Sequence, residues 1–188
     1  MSEKKNIIGL VGQIACGKGT AALYLKNNHN ANIYRFSTML RDVLDRLYLE
    51  ITRSNMQSIS ECLRQKFGGD ILAKVIAEDV QKDPGKLIVV DGVRRMDDIK
   101  YLQKLPGFNL VKIETGSKIR YNRLITRTEN KDDGRKTYEE FLSDEQREAE
   151  REIPKVMAGT KLSLNNDGDL ENLYKQIGEI LKNLGYET

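Results

Sequence analysis

Residues 12–20 read Gly12-Gln13-Ile14-Ala15-Cys16-Gly17-Lys18-Gly19-Thr20, and this stretch decides the fold. It carries the spacing G-x-x-x-x-G-K, with a short β-branched run before it (7–11) and a segment of helical period after it (19–26). Glycines let the backbone fold tightly enough to aim N–H groups inward at phosphate oxygens. The helix that opens behind them adds partial positive charge, and Lys18 adds a mobile point charge. Strand, loop and helix in that order predict a phosphate cradle made of Gly12, Gln13, Ile14, Ala15, Cys16, Gly17, Lys18, Gly19 and Thr20. Gly19 stands where a Ser or Thr would usually hold magnesium. Thr20, one place later, is therefore the candidate for contact with phosphate or hydrated Mg2+. Cys16 reads first as a small residue that fits the loop, with an acidic, reactive thiol as the alternative.

Outward from the loop, four more apolar runs have strand character: 32–36, 87–90, 110–113 and 161–164. Segments of helical period lie between and after them at 38–49, 71–81, 117–128, 138–153 and 170–184. Asp83-Pro84-Gly85 and Pro106-Gly107 break the chain before the third and fourth strands, and Asp169 is placed to cap the last helix. Strands alternating with helices predict an α/β fold with a parallel sheet covered on both faces, and ligands at the carboxyl ends of the strands. The 188 residues suit one domain, 1–188, and no repeat or linker divides them. A net charge of +3 is too small to point to nucleic acid. No apolar run reaches membrane-spanning length. Two cysteines, Cys16 and Cys62, make neither a disulfide framework nor a zinc site, and fit a reducing cytoplasm.

Charged residues cluster where such a sheet would place its ligands. Asp91 ends the third strand beside the loop, the position that holds Mg2+ or its water. Arg94 and Arg95 follow; Arg94 is the choice for a substrate phosphate, its planar fork matching phosphate oxygens, and Arg95 for a surface charge. Ser37 or Thr38 can cap the helix that carries Arg41, which then sits near a potential anion site. Arg120, Arg123 and Arg127 share a helical face, and Arg147 and Arg151 share another on an acid-rich helix with Glu139, Glu140, Asp144 and Glu145. Salt bridges between the two are one reading. The other is a mobile lid over 120–151, with a polar loop at 129–136, closing over a transferring phosphate. Asn166 could border a nucleotide base or simply belong to an Asn/Asp turn. His29 reads as exposed and inert.

Together these pieces resemble the P-loop nucleoside monophosphate kinases over nearly the whole chain. The resemblance is strongest at Gly12 to Thr20, at Ser37-Thr38-Met39-Leu40-Arg41 and at Asp91-Gly92-Val93-Arg94. It is closest to a little-characterised, adenylate-kinase-related family known mainly from archaea, and more distant to phage deoxynucleotide kinases and dephospho-CoA kinase. It implies a three-layer fold with a five-stranded sheet in the order 2-3-1-4-5. It also implies acceptor-binding helices over 37–81 and a short helical lid. Carried over by residue, Ser37, Arg41, Arg64, Arg94 and Arg147 would hold the acceptor. Arg64 enters through Cys62-Leu63-Arg64-Gln65-Lys66-Phe67-Gly68, which is similar to a phage-kinase segment. Lys18, Asp91, Arg94, Arg123 and Arg127 would serve catalysis, and Arg123 and Asn166 would also contact the nucleotide. Adenylate kinases carry Pro and Gly where this chain has Ile14 and Ala15, and an adenine-reading Gln where it has Ile99, so AMP specificity is unsupported. The expected activity is phosphoryl transfer from ATP, with Mg2+, to a small phosphorylated acceptor such as a nucleoside or deoxynucleoside monophosphate, by a monomer or homodimer. Two rivals stay open: a nucleotide-dependent gate for a protein or RNA partner, and a kinase for a non-nucleotide phosphate or alcohol.

Overall fold

The computed structural model of the protein describes residues 5–126, 133–146 and 148–186. Its frame is a five-stranded sheet in the order β2-β3-β1-β4-β5. The strands are β1 (Asn6–Val11), β2 (Asn32–Arg35), β3 (Leu87–Val93), β4 (Phe108–Glu114) and β5 (Leu162–Asn165), and every adjacent pair is parallel. All six residues of β1 are buried, as a central strand with both faces covered requires.

The pleat sorts the core into two layers. Ile8 and Leu10 of β1, with Leu87 and Val89 of β3, pack against Ala21, Ala22 and Leu25 of α1 (Lys18–His29). Leu173, Ile177 and Leu181 of the last helix, Leu170–Asn183, complete that layer. Ile7 and Val11, with Ile88 and Val90, face the other way. They meet Phe36 of α2 (Phe36–Arg46) and Leu72, Ala73, Ile76 and Val80, which lie in α4 (Ile71–Lys82) after the polar α3 (Arg53–Phe67). Ile99 of α5 (Met96–Ile99) joins the same layer. Each fully buried aliphatic side chain contributes about 1.5–3 kcal/mol. No described helix is long and apolar enough to cross a membrane.

The predicted strands and their order hold. Several helices differ. Ser37 and Thr38 do not cap α2: the helix already starts at Phe36, whose ring is buried, and its cap residue is Arg35 in extended conformation. Arg41 therefore sits in the second turn. α3 was not foreseen, because none of its described side chains is fully buried and its apolar period is diluted by polar residues. Ile99, the position aligned with an adenine-reading Gln, is 1% exposed and belongs to the core.

The single helix expected over 138–153 is instead α7 (Tyr138–Asp144), α8 (Glu148–Arg151) and α9 (Ile153–Ala158). Asp144 pairs with Lys136, and Glu145 pairs with Arg120 on α6 (Ser117–Thr126). These inward acids end α7, and Pro154 opens α9, where a missing N–H costs nothing. The remaining helix, Leu170–Asn183, is α10, and Asp169 caps it as predicted by accepting from the Asn172 N–H.

His29 is not the exposed loop residue expected. It ends α1 half-buried, edge-on to Tyr24 and Tyr186, and burial lowers its pKa from the usual imidazole value. On the other side of the sheet's amino end, Asp83 ties β2 to the chain before β3. It accepts from Asn32 Nδ2 at 2.8 Å, Tyr34 Oη at 2.7 Å and the Gly85 N–H at 2.6 Å. Burial opposes ionisation of Asp83, but these donors outweigh it and hold the carboxyl below its ordinary range. Burial, with the hydrogen bond to Asp83, pushes the Tyr34 phenol up to about 12.

Candidate phosphate-binding site

The loop 12–17 leaves β1 at its carboxyl end and feeds α1, so the helix N-terminus points at the edge of the sheet where β1 and β3 stop. Gly17, the cap residue, adopts φ 104°, and no side chain caps the helix. The first-turn N–H groups of α1 thus have no intrahelical acceptor, and the site favours an anion. Lys18 Nζ donates to the carbonyls of Gly12 at 2.6 Å and Gln13 at 3.1 Å, which holds its charge over the loop.

The loop is braced from behind by the ends of β4 and β5. The Cys16 carbonyl accepts from Asn166 Nδ2 at 2.8 Å and from Thr115 Oγ1 at 3.0 Å. Arg120, 3% exposed, donates to the carbonyls of Thr115 at 3.0 Å and Ile14 at 3.4 Å, and pairs with Glu145. A Cβ on Gly17 would lie 2.2 Å from Asn166 Nδ2, so the glycine is needed for close approach as well as for its φ. Cys16 is 1% exposed and its sulfur sits under Gly12, packed with the core, in keeping with a residue that fits the loop. Asn166 spends its amide on the loop, and its Oδ1 is buried without a hydrogen-bond partner among the described residues.

Beside the loop, β3 bulges. Leu10 pairs with Asp91 and Val11 with Val93, so Gly92 is skipped, and its φ of 92° makes the irregularity possible. Asp91 is 9% exposed. Its Oδ2 lies 3.1 Å from Arg35 Nε, and its Oδ1 is buried with no hydrogen-bond partner among the described residues. Beyond the bulge, the backbone N–H groups of Arg94 and Arg95 both donate to Asp98 Oδ2, at 2.9 and 3.0 Å. Asp98 is 3% exposed, and its Oδ1 lies 3.5 Å from Arg64 Nη2. Arg64 also donates to the Gly69 carbonyl. One buried carboxylate thus fixes the backbone at Arg94 and Arg95 and meets the Arg64 side chain.

The other predicted residues fall as follows. Arg94 is half-exposed, 3.5 Å from Glu150 of α8. Ser37 and Arg41 are exposed on α2, and Thr20 is half-buried on α1. Arg123 is half-buried on α6, with Nη1 enclosed and unpartnered among the described residues. Arg127 and Arg147 lie outside the described residues. Sequence reasoning missed Arg35 and Asp98. Arg35 ends β2 and lies directly opposite Asp91 in the parallel ladder, a neighbour that only the strand order reveals. Asp98 follows the equally acidic Asp97, and nothing in the sequence marks which of the two turns inward.

A parallel sheet in this order, with a glycine-lysine loop between its central strand and first helix, is the fold of the P-loop kinases. No family model matches the chain. Over 183 residues, 97% of this chain and 99% of the relative, it is 26% identical to a UPF0200 protein of Methanoregula boonei. Over 180 residues, 95% of this chain and 90% of the relative, it is 24% identical to a UPF0200 protein of Methanothermobacter thermautotrophicus. Among solved structures, a shikimate kinase from Bacteroides thetaiotaomicron superposes with a TM-score of 0.63 at 13% identity, covering 96% of this chain and 98% of that one. TT1252 from Thermus thermophilus gives 0.62 at 14% identity, covering 96% and 98%. A gluconokinase from Sinorhizobium meliloti 1021 gives 0.57 at 13% identity, covering 99% and 98%. The likeness to archaeal proteins and the P-loop kinase fold both agree with the resemblance read from the sequence.

Proposed function

We propose that the chain is an ATP-dependent phosphotransferase that passes the γ-phosphoryl group to a small phosphorylated acceptor, a nucleoside or deoxynucleoside monophosphate or a molecule like it. The observation that carries this reading is the pairing, at adjacent strand ends, of an uncapped helix N-terminus holding Lys18 with an acid, Asp91, whose buried Oδ1 lacks a partner among the described residues. A bare phosphate-binding turn would not need that acid. A buried carboxylate oxygen without a partner among the described residues suits a hard cation, so Asp91 fits Mg2+, held directly or through water, with Thr20 of α1 as the second expected contact. Bound there with ATP, Mg2+ would neutralise charge on the phosphates.

The chain's own groups do the rest. The loop N–H groups and Lys18 hold the donor phosphates. Arg41, Arg64 and Arg94, in the acceptor region 37–81 and just past β3, hold the acceptor, with Ser37 beside them. Arg123, Arg127 and Arg147, in a lid over 120–151, neutralise the transferring group on closure. An acceptor oxygen forms the new bond to the γ-phosphorus as the bond to the ADP oxygen breaks, so catalysis is positioning and charge balance. The acceptor arginines support a second phosphate ligand more than a bare nucleotide switch.

The experiment offers ATP and Mg2+ with a panel of nucleoside and deoxynucleoside monophosphates, plus shikimate and gluconate because proteins of this fold include kinases named for them. ADP formation is followed in the wild type and in Lys18→Ala. ADP release that depends on one acceptor class and vanishes in Lys18→Ala supports the reading. Hydrolysis indifferent to every acceptor, or full activity in Lys18→Ala, would refute it.

A further inference from the structure

Arg35 lies near the loop and no motif accounts for it, and its surroundings are specific. It ends β2 in register with Asp91 of β3. By the pleat, both residues follow Ile33 and Val89 onto the α1 face of the sheet. Arg35 Nε lies 3.1 Å from Asp91 Oδ2, and Nη2 lies 3.9 Å from where a Cβ on Gly19 would stand. Gly19 follows Lys18, at the place where a Ser or Thr would project a metal-binding hydroxyl. This chain has no side chain there, and a guanidinium lies beside the space, paired with the acid best suited to a cation.

We infer that Arg35 is a built-in competitor for Mg2+: it pairs with Asp91 while no cation is bound and yields that carboxylate when the metal arrives with the nucleotide. The inference rests on the phosphate-site reading above. A guanidinium on Oδ2 and a cation on Oδ1 of one carboxylate repel each other, and among the described residues Asp91 Oδ2 is committed to Arg35 while Oδ1 has no partner. The Arg35 side chain is 44% exposed, so it can leave without stranding a charge in the core. Released, it stands over Gly19, at the mouth of the anion site, where its fork suits phosphate oxygens. The pairing holds Asp91 in place beforehand, and it makes metal affinity depend on a residue that need never touch the metal.

The test measures binding without turnover. Mn2+ stands in for Mg2+ and is followed by electron paramagnetic resonance in the presence of ADP, in the wild type, Arg35→Gln, Arg35→Lys, Asp91→Asn and the Arg35→Gln/Asp91→Asn double variant. An ion pair this exposed is weak, so Arg35→Gln should tighten Mn2+ by about two- to fivefold. Arg35→Lys should stay near the wild type, and the gain should vanish in the double variant. In parallel, the Arg35 Nε–H signal of isotope-labelled wild type should shift when Mg2+ and ADP are added together, a readout that needs no variant to fold. Unchanged or weaker Mn2+ binding in Arg35→Gln, or an Arg35 signal indifferent to Mg2+ with ADP bound, would overturn this inference alone. A wild type that fails to bind ADP would overturn the phosphate-site reading, and this inference with it.

Discussion

Removing both donors from the Cys16 carbonyl should destabilise the protein by more than the sum of removing each. Thr115→Val deletes one hydroxyl at 3.0 Å with little change in shape, and Asn166→Ala deletes one amide at 2.8 Å. In either single variant the carbonyl keeps one donor, so each loss is an ordinary hydrogen bond of about 1 kcal/mol. In the double variant a carbonyl beneath a loop whose cysteine is 1% exposed has neither donor. An unsatisfied buried group costs roughly 1–3 kcal/mol beyond the bonds themselves. The double variant should therefore lose about 3–5 kcal/mol, with a coupling of roughly 1–3 kcal/mol. Urea unfolding at constant m-value measures this as midpoint shifts, and each kcal/mol should also lower Tm by about 2–4 °C at this chain length. Effects that add to within about 0.5 kcal/mol would refute the claim that the two side chains share one acceptor.

Other expected outcomes are shorter to state. Gly17→Ala should cost at least ~1–2 kcal/mol for a left-handed φ, plus the displacement of Asn166, seen in the same urea series and in lost anion binding. Asp98→Asn should lower stability by about 2 kcal/mol, since a charged acceptor of two backbone N–H groups becomes neutral, and should loosen the backbone at 94–95 and the Arg64 side chain together. The depressed pKa of Asp83 stabilises the fold above the unfolded value of 3.8, and that contribution is lost as pH falls through the folded value. Thermal midpoints of Asp83→Asn below pH 4 should therefore fall less steeply than those of the wild type. Tyr34 has the opposite sign: its raised pKa contributes below the usual 10 and is lost toward about 12, so phenolate absorbance should show a late-titrating step near 12 that Tyr34→Phe removes.

The strands were legible because their β-branched runs are bounded by turn residues, and the loop because glycine spacing and lysine sit between strand and helix. The order of the strands came from resemblance, and the structure agrees with it. What stayed illegible depends on which neighbour a side chain meets. Asp97 and Asp98 are chemically alike, yet only Asp98 is buried. Arg35 is an ordinary strand end until β2 lies against β3. Along 138–153 the helical period continues through Asp144 and Glu145, but those acids are drawn to Lys136 and Arg120, and buried pairing overrides local propensity. α3 escaped because its described side chains are half-buried or exposed, so it offers no clean stripe to read.

The bracing of the loop also bears on the order of assembly. The motif occupies nine consecutive positions near the start of the chain, but the donors that hold it stand 99, 106 and 150 residues away, at Thr115, Arg120 and Asn166. Contacts of such separation close late, because long segments must be ordered first. A fragment ending before β5 would contain every residue of the motif and still lack the Asn166 support. Phosphate binding would then appear only once β5 has docked, and would serve as a signal of that event.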